Sequence, residues 1–163
     1  MTADIDSMLE AGELWVYANS QAAVAGGASV KIGILTGNVP VRVLSRGYES
    51  TGEIMTIYLY KVAFTGGSAL SQVYNRNRSY QAGAQPVSAL AGVTFTPNTP
   101  EIAAVVRALT TANNAVLVRG EEDALELLAG TSYVLELVNS DIGPQTISTS
   151  ITMRRKQPSE RLR

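Results

Sequence analysis

The sequence predicts an all-β protein, an antiparallel β-sandwich or jelly roll with extended N- and C-terminal arms. Three observations support this prediction. Apolar and polar residues alternate in several short stretches, Gly, Asn, Pro and Ser residues separate these stretches, and no long segment keeps a helical spacing of apolar residues. About seven to nine short strands of this kind are typical of a two-layered β fold.

The composition limits the chemistry that the chain can perform. Its 163 residues are enough for one domain with a hydrophobic core, and they include no Cys and no His. Disulfides, thiolate metal ligands and the commonest general base are therefore absent from the sequence. We expect no catalytic residue, no cofactor and no metal site, and we expect that the protein is not an enzyme.

Residues 1–29 are predicted to form an N-terminal arm and linker. Ser7 with Glu10 three positions later has the pattern of a capping box, so this part fits either a short helical turn or a disordered terminus. The segment from Asn19 to Ser29 is rich in Ala and Gly, which is typical of a linker. The β-sandwich domain is expected to span residues 30–153.

The first two strands of that domain are predicted to form a hairpin. Alternating apolar residues run from Val30 to Ile34 and from Val39 to Val43, with a turn sequence at 36–38 between them. Pro40 lacks a backbone N–H, which predicts that the second strand lies near an edge.

The stretch from Ile54 to Phe64 is apolar on most positions, as expected for a strand inside a sandwich. Gly66 and Gly67 follow it without the lysine and helix of a phosphate-binding loop, so they predict a turn. Residues 81–100 are rich in Ala, Gly, Pro and Thr and predict loops with one short strand near 93–96.

The remaining strands lie toward the C-terminus. Residues 102–109 fit either a strand or a helix, because Ile102, Val105, Val106 and Leu109 also have helical spacing. In residues 133–138, alternate side chains are expected to point to opposite faces of a strand. The alternation is most regular in residues 146–153, where Ile and Met residues are on one face with one Thr, and Ser and Thr residues are on the other. This last pattern predicts one core face and one solvated face.

The sequence Tyr-Asn-Arg-Asn-Arg at 74–78 is the most distinctive polar motif. In an extended chain Asn75 and Asn77 would share one face, and Arg76 and Arg78 the other. The arginine fork suits carboxylates, which favours contact with another subunit or an acidic surface. The alternative is an exposed turn in which the Asn side chains bind their own backbone. Consecutive carboxylates at 121–123 are interpreted as a solvated charged tip.

The two ends of the chain have opposite charge. Acidic residues dominate the first fifteen positions, and residues 154–163 form a basic tail that includes Arg154, Arg155 and Lys156. The tail fits either docking onto an acidic neighbour or a solvated terminus, whereas a net charge of −1 makes nucleic-acid binding an unfavoured alternative. Trp15, the only tryptophan, is a further candidate contact residue. No apolar run is long enough to cross a membrane. We therefore do not expect a membrane among the partners of this protein.

The passage TGGSAL–YNRNRS and the late strand LAGTSYVLELVN together resemble a group of small β-sandwich head proteins of tailed bacteriophages. The resemblance covers residues 30–153. It implies a virion component, most specifically a capsid decoration or cement protein, and it implies a strand at 102–109. The long N-terminal stretch and the basic tail depart from that pattern, and the resemblance supplies no catalytic residue.

The function predicted from the sequence is non-enzymatic. The expected protein binds the outside of a phage head, bridges subunits of the major capsid protein, and associates with itself as a homodimer or homotrimer. Its expected location is the virion surface after synthesis in the host cytoplasm. The alternative is a tail or head-fibre component, or a carbohydrate-binding module of similar fold, although 6% aromatic residues provide few platforms for sugars.

Overall fold

The computed structural model describes residues 8, 13–70, 72–77, 85–108, 115–119 and 125–156. Within these residues the chain forms twelve β-strands in two antiparallel sheets, which confirms the predicted all-β sandwich. The strands are β1 (Trp15–Val24), β2 (Ser29–Thr36), β3 (Val41–Ser50), β4 (Ile54–Lys61), β5 (Phe64–Ala69), β6 (Gln72–Asn75), β7 (Val87–Phe95), β8 (Ile102–Arg107), β9 (Ala115–Arg119), β10 (Leu125–Leu127), β11 (Ser132–Asn139) and β12 (Gln145–Arg155). No helix in these ranges is long and apolar enough to span a bilayer.

The order of the strands is that of a jelly roll. Sheet A has the order β10-β3-β12-β1-β6, with β9 also paired to β3, and sheet B has the order β5-β7-β2-β11-β4-β8. Successive strands β1 to β4 alternate between the sheets, and early strands pair with late ones. Thus β12 lies between β1 and β3, and β11 lies between β2 and β4. This winding gives a double-sheet jelly roll.

Strands β5 to β7 are an addition to this winding. Strand β6 extends sheet A beside β1, and β7 followed by β5 extends sheet B beside β2. The added strands therefore widen both sheets on the same side of the jelly roll. The distinctive motif at 74–78 begins in β6, so this addition carries it.

The two sheets enclose one main hydrophobic core. Alternate residues of β12, including Ile147, Ile151 and Met153, are buried there, as the regular pattern at 146–153 predicted. Leu135 and Leu137 of β11 face them from sheet B and are 2% and 0% exposed. Strand β8 at Ile102–Arg107 resolves the ambiguity between strand and helix in favour of the strand.

Both predicted boundaries of the sandwich domain differ from the ends of the strands. Residues 15–24 were assigned to the arm and linker, yet they form β1 in the interior of sheet A. Residues Ser20 to Ala23 are exposed, so their sequence lacks the apolar alternation that reveals a strand. At the other end, β12 continues through Arg154 and Arg155, which were assigned to the tail.

The predicted hairpin of residues 30–43 is wrong, because β2 and β3 belong to different sheets. The turn between them joins the β10–β11 connection instead: the Thr36 hydroxyl donates to the Leu128 carbonyl oxygen at 2.6 Å, and Gly130 N donates to Gly37 O at 2.7 Å. Strand β3 has neighbours on both sides, so the prediction that Pro40 marks an edge strand is also wrong.

Sheet B folds back on itself at the added strands. Four strand spacings, about 19 Å, would separate β4 from β5 in a flat sheet. Only three Cα steps join Lys61 to Phe64, and they span at most about 11 Å. Strand β5 therefore lies over the outer face of the sheet, where a Cβ on Gly33 would come within 2.7 Å of the Phe64 ring. Gly66 and Gly67 lie within β5, so the turn predicted there is wrong.

This fold-back creates an aromatic layer on the outer face of sheet B. The ring centroids of Tyr60 and Phe95 are 5.2 Å apart, and those of Tyr58 and Tyr60 are 5.7 Å apart. Tyr60 is 7% exposed and Tyr58 is half-buried, and both alternate with Met55, Ile57 and Leu59, which face the main core. Burial, and secondarily the neighbouring Glu136 carboxylate, raise the pKa of Tyr60.

A buried tyrosine connects the two sheets. The Tyr17 hydroxyl in β1 donates to the Val87 carbonyl oxygen in β7 at 3.2 Å, and Val87 N lies 3.4 Å from the same hydroxyl. Burial raises the pKa of Tyr17 above its ordinary value of about 10. The hydroxyl therefore stays protonated in the folded protein at pH values where it ionises in the unfolded chain.

The substitution Tyr17→Phe is expected to lower the free energy of unfolding by about 1–2 kcal/mol at pH 8, because Val87 loses its partner. Above pH 10 the unfolded chain binds fewer protons than the folded one, so wild-type stability falls as pH rises. The variant lacks the Tyr17 hydroxyl, which contributes to this fall. The difference in free energy of unfolding between wild type and variant should therefore shrink toward pH 11. Urea unfolding across this range measures the difference, and a deficit independent of pH would contradict the assignment. Tyr74→Phe, at an exposed position, is the control.

Candidate interaction surface

The Asn/Arg motif forms the end of β6 and the turn after it. Asn77 N donates to the Asn75 side-chain oxygen at 2.8 Å. This bond matches the alternative prediction for the motif, an exposed turn in which the Asn side chains bind their own backbone. Arg76 is exposed, and its backbone N donates to Leu14 O at 2.9 Å. Arg78 lies outside the described residues. The asparagines therefore shape the turn, and the Arg76 side chain is the group that this turn presents to solvent.

Trp15 lies between the motif and the C-terminal strand. It pairs with Asn75 of β6 on one side and with Met153 of β12 on the other. Its ring packs against the main core and is partly buried. Trp15 therefore contributes packing at this position, and it brings the two predicted clusters of interface residues to the same end of sheet A.

The three basic residues at the end of β12 have different environments. Arg154 is 2% exposed, and its Nη1 donates to Arg155 O at 3.2 Å. Arg155 is exposed, and its Nη2 donates to Gln85 O at 3.4 Å. Lys156 forms an ion pair with Glu126 at 2.7 Å. Arg154 is therefore part of the packed structure, and Arg155 is the cation of the three most open to a partner.

The register places these cations together, and we call this surface the basic end. Arg154 pairs with Arg42 of β3, and both Arg154 and Arg76 lie next to Leu14, the residue before β1. The basic end consists of Arg42, Arg76, Arg154, Arg155 and Lys156, with Glu13 and Glu126 as the acidic residues described beside them. Of these cations, Arg76 and Arg155 are exposed, and Lys156 is paired with Glu126.

Arg42 was not predicted as an interface residue. A single arginine within an alternating apolar stretch carries no signal in the sequence, because such a residue is most often a solvated position on the outer face of a strand. Only the pairing of β3 with β12, which brings Arg42 opposite Arg154, places it at the basic end. Partners distant in sequence thus determine this surface.

A small apolar cluster covers the outer face of sheet A beside the basic end. Met8, Leu14 and Leu44 are 5%, 1% and 6% exposed and pack together. Leu44 lies at the register shift between β3 and β12, where an extra residue turns its side chain outward. Met8 therefore packs against Leu14 and Leu44 on the outer face of sheet A.

A groove adjoins the basic end at Arg155. It has a volume of about 550 Å³, and its lining includes Leu35, Val39, Gln85 and Pro86. Leu35, near the end of β2, is 47% exposed, and Val39, in the connection to β3, is 37% exposed. Apolar and cationic groups are therefore contiguous on this end of the jelly roll.

The described residues contain no group of three or more His, Cys, Asp or Glu side chains that could hold a metal ion. The acidic residues 121–123, interpreted as a solvated tip, lie outside the described part of the chain.

No protein-family model matches the chain, and no curated protein sequence matches it. Among solved structures, a chain of Tomato Aspermy Virus is 9% identical, with 91% of this chain and 81% of that chain covered and a TM-score of 0.36. Eiger TNF from S. frugiperda is 12% identical over 76% of this chain and 61% of that one, with a TM-score of 0.24. Infectious bursal disease virus, Gt strain, is 12% identical over 90% and 42%, with a TM-score of 0.21. Similarity at this distance carries no argument about function.

Proposed function

We propose that this protein is a non-enzymatic structural component of a virion that binds the outside of the head as a decoration or cement protein. The observation that carries the proposal is the basic end, where the pairing of β6, β1 and β12 brings the exposed Arg76 and Arg155 to the same end of sheet A. The resemblance in sequence to head proteins of tailed bacteriophages supplies the class of partner. That partner is the major capsid protein, bound through an acidic surface.

The proposed mechanism is stabilisation by binding. A protein that binds the assembled shell, and not its loosened form, shifts the equilibrium toward the shell by the difference in binding free energy. Many copies on an icosahedral lattice multiply modest contacts, particularly when each copy is itself a homodimer or homotrimer. The protein is made in the host cytoplasm and resides on the capsid surface in this proposal.

The groove beside Arg155 gives the interface an apolar component. Charges at the rim of an interface mainly accelerate association and select the partner, whereas buried apolar contacts supply much of the affinity. Leu35 and Val39 lie close enough to Arg155 to line one groove with it. A partner with an apolar side chain flanked by carboxylates fits both parts of this surface.

The test uses heads that lack this protein. The double variant Arg76→Gln/Arg155→Gln is expected to bind them roughly threefold to tenfold more weakly at low ionic strength, because two exposed cations of the basic end are lost. The difference should diminish as salt rises. Sedimentation of labelled protein with the heads measures binding, and resistance of the heads to heat measures stabilisation.

The matched control is Lys61→Gln/Arg107→Gln, which removes two exposed cations from sheet B. Equal weakening by both double variants would exclude the basic end as the binding surface. Failure of the wild-type protein to bind heads, or its presence in tails and not in heads, would contradict the decoration role itself.

A further inference from the structure

Strand β8 is an edge of sheet B. Its residues Ile102–Arg107 pair with β4 on one side, and no described strand pairs with them on the other. The strand is apolar up to its last residue, Arg107, and the side chain of Val105 is 61% exposed. An exposed apolar strand at the edge of a sheet is a template for pairing with a further strand.

The backbone groups at this edge have a defined direction. Ala108 N donates to Glu53 O at 2.8 Å, in continuation of the register between β4 and β8. Alternate residues of an antiparallel strand direct their N–H and C=O groups to the same neighbour, so the even-numbered residues of β8 bond to β4. The backbone groups of Ala103 and Val105 therefore point away from β4, toward the free edge.

The space beside this edge is open. A cleft of about 510 Å³ separates Ile102, Ala103 and Ala104 from the opposing strands β9 and β10 of sheet A. On the outer face of sheet B, Ala103 and Val105 are both exposed. Neither the basic end nor the groove at Arg155 includes a residue of β8. An approaching strand therefore has access to the edge without contact with the surface assigned above to the capsid.

Opposite charges flank the strand. The exposed Glu101 directly precedes β8, and the exposed Arg107 ends it. A second copy of β8 can lie antiparallel to the first, with Ala103 of each copy opposite Val105 of the other. In this register Glu101 of each copy lies opposite Arg107 of the other. Unlike charges at opposed positions stabilise a strand pair, and two-fold symmetry provides this contact twice.

We propose that β8 pairs with β8 of a second copy of this chain, so that sheet B continues across a two-fold axis. Ala103 and Val105 of the two copies exchange their backbone hydrogen bonds in this pairing. One short strand buries less area than a standard protein interface, so the dimer is weak and forms at high concentration. This inference gives a surface to the homodimer proposed above, and it does not depend on a capsid.

The association of the full chain in solution is the first test. Sedimentation equilibrium should show a mass that rises from that of one chain, 17.3 kDa, toward twice this value as the concentration approaches the millimolar range. A chain that remains monomeric, or that approaches the mass of three copies, would overturn the proposal. The measurement uses no heads, so its failure leaves the proposed binding of heads intact.

Two charge variants test whether β8 is the interface. Ala103→Lys/Val105→Lys and Ala103→Glu/Val105→Glu each place like charges opposite one another, and each alone should associate roughly tenfold more weakly than the wild type. An equimolar mixture of the two should restore association, because unlike charges then face each other. This recovery also verifies that both variants are folded.

The matched control is Ser20→Lys/Ala22→Lys, at two exposed positions of β1 with the same spacing. It should associate as the wild type does. Undiminished association of the two β8 variants, or a mixture no stronger than either variant alone, would overturn the assignment to β8.

The charge pairs at the two ends of the strand select the register and contribute little affinity, because they are exposed. Lys61→Gln/Arg107→Gln should therefore associate only roughly threefold more weakly than the wild type. A loss as large as that of the lysine and glutamate variants would contradict backbone pairing as the main source of association.

A single cysteine tests the register, because the chain contains no Cys. In the proposed register Ala104 lies opposite Ala104 of the second copy, at a pair without hydrogen bonds, where Cα atoms are about 4.5 Å apart. This separation permits a disulfide, so Ala104→Cys should give a covalent dimer on mild oxidation. Val105→Cys lies opposite Ala103 and should give little. A covalent dimer from Val105→Cys and none from Ala104→Cys would overturn this register.

Discussion

Asn139→Ala is expected to lower the free energy of unfolding by about 3 kcal/mol or more, as measured by urea denaturation at neutral pH. Asn139 is 0% exposed at the end of β11. Its Nδ2 donates to Val24 O and to Gly143 O, both at 2.8 Å, and its Oδ1 accepts from Asp141 N at 2.9 Å. The alanine variant leaves these backbone groups without their partner.

The backbone of Asn139 adds to this effect. Gly27 N donates to Asn139 O at 2.8 Å, and Asn139 N donates to Ala28 O at 2.9 Å. The residue thus joins the β1–β2 and β11–β12 connections at one end of the jelly roll, the end opposite the basic end. Loss of its side chain should also loosen both connections, which hydrogen exchange at Gly27 and Asp141 would detect.

Asn98→Ala is the matched control for this substitution. The Asn98 Nδ2 donates to Lys61 O at 3.0 Å, but the residue is exposed, so water can replace the lost bond. Its expected cost is below about 0.5 kcal/mol. Comparable losses of unfolding free energy at the two positions would show that burial does not increase the contribution of the Asn139 hydrogen bonds to stability.

Leu137→Ala is expected to destabilise the protein by about 3 kcal/mol. Leu137 is 0% exposed in β11, one of the two central strands of sheet B, and belongs to the main core between the sheets. Removing three carbons there forfeits buried apolar area and leaves a cavity, because packed strands on both sides limit collapse. The midpoint of urea unfolding should fall with little change in slope.

Leu128→Ala serves as the comparison, because Leu128 directly follows β10 and is 47% exposed. Its expected cost is within about 0.5 kcal/mol. If Leu137→Ala were as mild as this control, the main core would have to repack around the lost side chain, contrary to the close packing of the jelly roll.

Alternation of apolar residues allowed the strands with one core face to be predicted from the sequence. Strand β12 is a clear example, since Ile147, Ile151 and Met153 meet the core and Ser148, Ser150 and Thr152 on the other face are half-buried or exposed. The same signal fails for β1, whose exposed part is small and polar, and for β5, whose glycines resemble a turn. Alternation of apolar and polar residues reflects which side chains are buried. Strands β1 and β5 form because their backbones pair with neighbouring strands, which this alternation does not reveal.

The partner of each strand could not be predicted in the same way. A turn sequence such as Thr36-Gly37-Asn38 fits a hairpin locally, but β2 and β3 separate into different sheets, because their best apolar partners lie about a hundred residues later in β11 and β12. The candidate surface has the same origin. Arg76, Arg154 and Arg42 are unremarkable separately in the sequence, and only the pairing across sheet A makes them neighbours.

The pairing of β1 with β12 has a consequence for how the protein folds. Ser20 and Ser148 share a hydrogen bond across 128 positions of sequence, so sheet A cannot be completed until the last strand has left the ribosome. Contacts this distant slow folding, because a long loop must close before any pairing energy is gained. Until then β3 and β1 each have an unpaired edge, and we expect the newly made chain to be most prone to aggregation in that interval.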